Sequence, residues 1–221
     1  MSIAMVLPAM LLLSTLLAPA QANAEPTAEQ IEAAVAALRT YDHGQSEKPA
    51  RAVDRLLSET FGSAELRTVL ERALVKLLRS DATLAARQFA CRKLAVVGSD
   101  ASLPALAKLL SGPDEKLAEI ACYALLHNPS PAVNRLLRHA LSQTKGKALV
   151  AAITLLGDRR DSESVVALRA IAQSSDRGAS NAAIAALGRI ATREAADVLA
   201  RLRASDDPAR RAVAQDRKSV V

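Results

Sequence analysis

Tryptophan is absent from the chain, and only four aromatic residues occur in its 221 positions: Tyr41, Phe61, Phe89 and Tyr123. That scarcity disfavours nucleic-acid recognition by base stacking, and it leaves little of the aromatic material from which strands are commonly built. Cysteine occurs twice, at Cys91 and Cys122, and histidine three times, at His43, His127 and His139. Their spacing matches no metal-ligand set such as HExxH, and His127, five residues after Cys122, falls on a different part of a helix. A phosphate-cradling glycine loop and a Gly-x-Ser-x-Gly turn are also missing. No catalytic residue, cofactor or metal is expected.

Alanine and leucine are what the chain has in quantity. Half of its residues are hydrophobic, enough to bury a core in one domain of ordinary size. Alanine has the best helix propensity and leucine is close behind, so an all-α fold is expected. The net charge is +6, which favours acidic partners only mildly. Lys and Arg are interspersed with Asp and Glu along the chain, as on solvated helix faces.

The first 24 residues stand apart. Met1 to Ala24 carries no charged side chain, and the apolar stretch Ile3 to Ala18 is interrupted only by Pro8, Ser14 and Thr15. It ends in Ala22-Asn23-Ala24 before Glu25 and Pro26, a small-x-small boundary that reads as a secretory signal cleaved after Ala24. The n-region lacks the usual Lys or Arg. The apolar run is short for a span of about 20 residues, and no Cys near the boundary suggests a lipid anchor. A periplasmic or secreted protein with no membrane insertion after cleavage is expected.

A repeat governs the remainder. Ala90, Ala121, Ala152 and Ala183 are spaced 31 residues apart, as are Leu94, Leu125, Leu156 and Leu187. Leu106, Leu137, Leu168 and Leu199 keep the same spacing, with Val75 one period earlier. Within a unit, Ala and Leu at i and i+4 share a helical face, and the third register lies beyond a turn. Each unit is therefore a helical hairpin, and a fixed period of this length marks a stacked array. Turn signals such as Gly112-Pro113-Asp114 and Ser174-Ser175-Asp176 place the first, or A, helices at about 81–97, 114–127, 146–156 and 176–188. Their B partners are placed at about 100–110, 131–142, 162–173 and 193–204. Alanine at the repeated A-helix position lets neighbouring units approach closely.

Upstream, Thr27 and Gln30 fit a capping box ahead of a helix with Ile31, Val35 and Leu38 on one face. Val53, Leu56 and Leu57 mark a second helix, Leu66 to Leu77 a third, and Tyr41 to Pro49 reads as a loop. The expected organisation is a signal at 1–24, a helical cap with a degenerate repeat at 25–80, regular repeats at 81–206, and a polar half-repeat at 207–221. In the last, Val213 and Ala214 resume the register and Lys218 replaces its Leu.

The segments Asp114 to Leu125 (DEKLAEIACYAL), Leu156 to Leu168 (LGDRRDSESVVAL) and Asp207 to Ala214 (DPARRAVA) resemble HEAT repeats, particularly the short bacterial HEAT-like kind. The resemblance covers about 80–216, although the usual basic residue of the A helix is absent from Ala118 to Ala121. It implies a right-handed α-solenoid of stacked antiparallel hairpins with an armadillo-type superhelix. It also implies a non-enzymatic scaffold that binds a protein or peptide partner on a concave surface lined by B helices. Other HEAT-like proteins are lyase subunits or DNA-repair glycosylases. The export signal and the shortage of aromatics argue against a nucleic-acid role, and a structural subunit of an envelope assembly is a further alternative.

Two groups of residues invite a chemical reading. Cys91 and Cys122 occupy equivalent places in adjacent A helices. Helix axes pack about 8–10 Å apart, whereas a disulfide needs Cα atoms within about 4.4–6.8 Å, so buried free thiols are expected over a disulfide. Lys145, Lys147, Arg159, Arg160 and Arg177 fall at successive turns and helix starts, where they could align as a basic edge for an acidic partner. Ordinary solvation beside Asp158, Asp161, Glu163 and Asp176 is the other reading.

Overall fold

The computed structural model describes residues 25–204. The signal assigned to 1–24 and the half-repeat assigned to 207–221 lie outside the described residues. Eleven α-helices and no strand occur within them: α1 (Ala28–Ala36), α2 (Lys48–Glu59), α3 (Ala64–Arg79), α4 (Leu84–Val97), α5 (Leu103–Leu110), α6 (Glu115–His127), α7 (Ala132–Gln143), α8 (Gly146–Asp158), α9 (Val165–Ala172), α10 (Arg177–Ile190) and α11 (Arg193–Arg203).

Local chemistry explains the boundaries. Thr27 and Gln30 form the reciprocal capping box at the start of α1. Ser63, Thr83, Asp114, Asp176 and Thr192 each accept a hydrogen bond from an amide of the following first turn, satisfying donors that an uncapped helix leaves orphaned. Helix α4 starts at Leu84, later than the expected 81, because Thr83 is extended and caps it. Helix α2 takes in Lys48 and Pro49, which were expected in the loop; proline is tolerated in a first turn, where no intrahelical partner is needed for its nitrogen.

The pairing of helices differs from the expected phase. An A helix was expected to pack chiefly on the B helix that follows it. Of the expected pairs only α10 with α11 packs together among the described residues; elsewhere the tight pairs are α3 with α4, α5 with α6, α7 with α8, and α9 with α10. Each joins a B helix to the next A helix across a short turn. The α4-to-α5, α6-to-α7 and α8-to-α9 connections span wider gaps, which polar side chains fill.

The A helices stack unevenly. Helix α4 lies close against α6 and α8 close against α10, whereas α6 and α8 touch only loosely. Side-chain size at one register position accounts for this. A Cβ added at Gly157 of α8 would sit 2.7 Å from the Ala186 Cα and 2.8 Å from its Cβ, so α8 and α10 meet backbone to backbone. One period earlier the same two positions are Leu126 and Leu155; two periods earlier they are Ala95 and Ala124. Interaxial distance follows the side chains at the contact. Small pairs give close layers and the leucine pair holds α6 and α8 apart. The hydrophobic core divides one layer further on, within α8: Ala152, Leu155 and Leu156 belong to the cluster that runs from Ile31 through α6, and Ile153 to the one that runs to Leu202.

Gly157→Ala is expected to destabilise by about 1–3 kcal/mol through overpacking, although a glycine-to-alanine change inside an unobstructed helix stabilises by up to about 1 kcal/mol. The shift in urea midpoint measures it, and a rise in stability would show that the two helices do not meet at this position.

Candidate functional site

The loose joint opens a groove of about 620 Å³ between α6 and α8, closed at one end by the start of α10. Leu126 and Leu155 line its floor region, Val150 and Ala151 its α8 side, and Cys122 and Tyr123 its α6 side. Tyr123 is 47% exposed, one of few large apolar side chains so placed among the described residues. Its ring rests against His127 one turn on, with centroids 4.5 Å apart. At the N-terminal end of the groove, Lys147 pairs with Glu115 across the gap. Lys147 hydrogen bonding and charge hold the Glu115 carboxyl below its usual pKa. Both side chains are largely exposed, and such a pair contributes little to stability.

At the other end the joint is held by part-buried polar contacts. Arg159 follows α8 and reaches back to the end of α6, where its Nη1 donates to the carbonyls of Leu125 (3.0 Å), Leu126 (2.9 Å) and Asn128 (2.9 Å). Its Nη2 donates to the Ser130 carbonyl at 3.2 Å and its Nε to Asn134 Oδ1 at 2.5 Å. These carbonyls are the acceptors that the end of a helix leaves without intrahelical partners. Burial lowers the Arg159 pKa and the charge of Asp161 opposes that. Asp161, itself buried, accepts from Arg138 at 2.6 Å and from Asn134 at 3.0 Å.

Similar contacts recur along this edge. The buried carboxylate of Glu71 on α3 accepts from the Ser99 amide and hydroxyl, both at 2.7 Å, and from the Ser102 amide at 3.1 Å. Ser130 donates to Asp100, and Arg189 pairs with Asp158 at 2.7 Å. The wide connections are thus cross-linked from one layer to the next. Glu71 and Asp161 are not distinguished in the sequence because each looks like an ordinary carboxylate, Glu71 in the middle of α3 and Asp161 in the turn before α9.

The five basic residues expected on one edge divide into two sets. Lys145 precedes α8, Lys147 lies in its first turn, and Arg177 begins α10, so these three share the edge where A helices start. Arg159 and Arg160 follow the far end of α8, roughly 20 Å away for a helix of that length. Arg159 is committed to the internal contacts above, whereas Arg160 is exposed and adopts a left-handed backbone, φ 52°. One continuous stripe through all five is therefore not what the geometry forms. Cys91 and Cys122 are free thiols, Cys91 buried and Cys122 half-buried on the groove wall. Burial pushes the Cys91 pKa up to about 12, with Arg87 and Arg92 opposing, and it raises that of Cys122 as well. Among the described residues, no group of three or more His, Cys, Asp or Glu is placed to hold a metal ion.

Stacked helix pairs in register define an α-solenoid. Residues 134–216 match the family model for HEAT repeats, and this part of the chain is similar to that family. HEAT repeats generally mediate protein–protein interaction. No curated protein matches the chain. Among solved structures, the crystal structure of an engineered protein is 23% identical, with 84% of this chain and 93% of that chain covered and a TM-score of 0.40. The superposition is too loose for sites to be compared. The matched segment begins in α7, beside the α6–α8 joint and short of the expected start near residue 80. Upstream of that joint the A helices end differently. Helices α4 and α6 exit through extended residues Gly98 and Asn128, while α8 and α10 exit through left-handed Arg160 and Ala191.

Arg159→Met should cost about 1.5–3 kcal/mol in urea unfolding, since it leaves several part-buried carbonyls without a donor. Arg160→Met should fall within about 0.5 kcal/mol of the parent, and equal effects of the two would remove the bridging role of Arg159. At pH 8 Cys122 should alkylate in the folded protein with a small maleimide, and Cys91 only on unfolding, because the thiolate is the reactive form and its population at Cys91 is suppressed. Equal rates in the native state would contradict the placement of both thiols.

Proposed function

We propose that this protein is an exported, non-enzymatic scaffold that binds another polypeptide, with the groove between α6 and α8 taking an apolar part of that partner. The half-exposed Tyr123 beside an open apolar groove carries the reading. An amphipathic aromatic ring at a recessed site is the kind of residue on which protein interfaces concentrate binding energy. A partner side chain entering the groove would replace water against Leu126, Val150 and Leu155, and the surrounding polar rim would orient it. Export rests on the uncharged apolar segment ending at Ala22-Asn23-Ala24.

Two measurements test this. N-terminal sequencing of the protein recovered from its native envelope should begin at Glu25, and an intact Met1 would rule out cleavage. A photo-crosslinking amino acid at Tyr123 should capture one discrete polypeptide in cells, and the same group at Glu59, exposed on α2, should not. Equal capture at both positions, or none at Tyr123, would rule out the groove.

A further inference from the structure

A second surface, remote from the groove, has a chemistry of its own. Arg72, Lys76 and Arg79 project from one face of α3, at i, i+4 and i+7. They line two contiguous depressions of about 550 and about 660 Å³ that share Arg79 and Ser80. Lys108 of α5 and Arg87 of α4 line the second of these. The apolar surface between the cations comes from Val75, Leu78, Ala105 and Leu109.

The acids nearby are largely occupied. Glu71 spends both carboxylate oxygens on Ser99 and Ser102, and Asp114 caps α6 by accepting from the Lys116 and Leu117 amides. Glu32 of α1 borders the far side of the Arg72 and Lys76 wall. Among the described residues, Arg72, Lys76, Arg79 and Lys108 form no ion pair, and Arg87 Nε is buried without a hydrogen-bond partner. From Arg72 to the end of α9, the B helices α3, α5, α7 and α9 carry no Asp or Glu. The positive charge of this face is thus left uncompensated by its own helices.

We infer that the trough between α3 and α5 binds an extended acidic polypeptide segment. The reading rests on the proposal that this chain binds a protein, and it adds a second contact of opposite character to the apolar groove. Geometry favours a peptide over other polyanions. Arg72 and Lys76 are separated by about 6 Å of helix rise, close to the spacing of roughly 6.6 Å between alternate side chains of an extended chain. Carboxylates at every second position can therefore meet successive cations, with Lys108 on the opposite wall. Arginine adds directional, charge-assisted bonds to carboxylate. A membrane surface or a nucleic-acid duplex is too broad to enter a trough one helix spacing wide, and the trough offers no aromatic ring to a base.

The test is a fluorescence anisotropy titration of the purified full chain with a labelled peptide of alternating Glu and Ser. Binding is expected, weakening as salt is raised from about 0.05 to about 0.3 M, since exposed charge pairs are screened. Lys76→Glu with Arg79→Glu should weaken it at least tenfold. Arg193→Glu with Arg201→Glu, the same charge change on exposed residues of α11, should leave it within about twofold. Absence of binding, or equal loss in both double variants, would overturn the inference. So would tighter binding to anionic vesicles or to single-stranded DNA that is lost through the same α3 residues. Crosslinking from Tyr123 is read separately, so a captured partner with no peptide binding would sink this inference and leave the groove standing.

Discussion

Everything distinctive about this solenoid follows from how closely successive A helices can approach. Where the contact position holds glycine or alanine, as at Gly157 against Ala186, backbones meet. The leucines at Leu126 and Leu155 prevent that approach between α6 and α8. Close packing leaves little room for intermediate arrangements, so the change in side-chain volume appears as a joint: a groove, and a bridge of polar contacts on the opposite edge. Arg159 matters because it spans the joint that the leucines open.

The joint also divides the two candidate binding surfaces. The apolar groove lies at it, with Tyr123 exposed on its wall, while the basic trough lies upstream on α3 and α5. One surface suits an apolar anchor and the other an acidic segment. A single partner could engage both only by running from one to the other, and linked contacts of that kind strengthen binding through effective concentration.

The all-helical fold and the positions of most helices were legible in the sequence because Ala and Leu repeat in a fixed register and because Thr, Ser and Asp stand at helix starts. The phase of the pairing was not, since period alone does not say whether an A helix packs on the B helix before or after it. The groove escaped notice for a related reason. The register was read where it repeats, at Ala90 and Leu94, whereas the informative position is the one where it varies, through Ala95, Leu126 and Gly157. The basic residues at Lys145, Lys147, Arg159, Arg160 and Arg177 were grouped by their nearness to turns. Turns at the two ends of α8 lie on opposite edges, and Arg159 turned inward to carbonyls that no sequence pattern announces.

The α6–α8 axial separation in a crystal structure of Leu126→Ala with Leu155→Ala addresses the central claim most directly. That variant recreates the small pair found at Ala95 and Ala124. If side-chain volume sets the joint, α6 and α8 should close toward the spacing of α8 and α10 and the groove should shrink. An unchanged separation, with the groove enlarged by the missing side chains, would show that something other than the leucine pair holds the two halves apart.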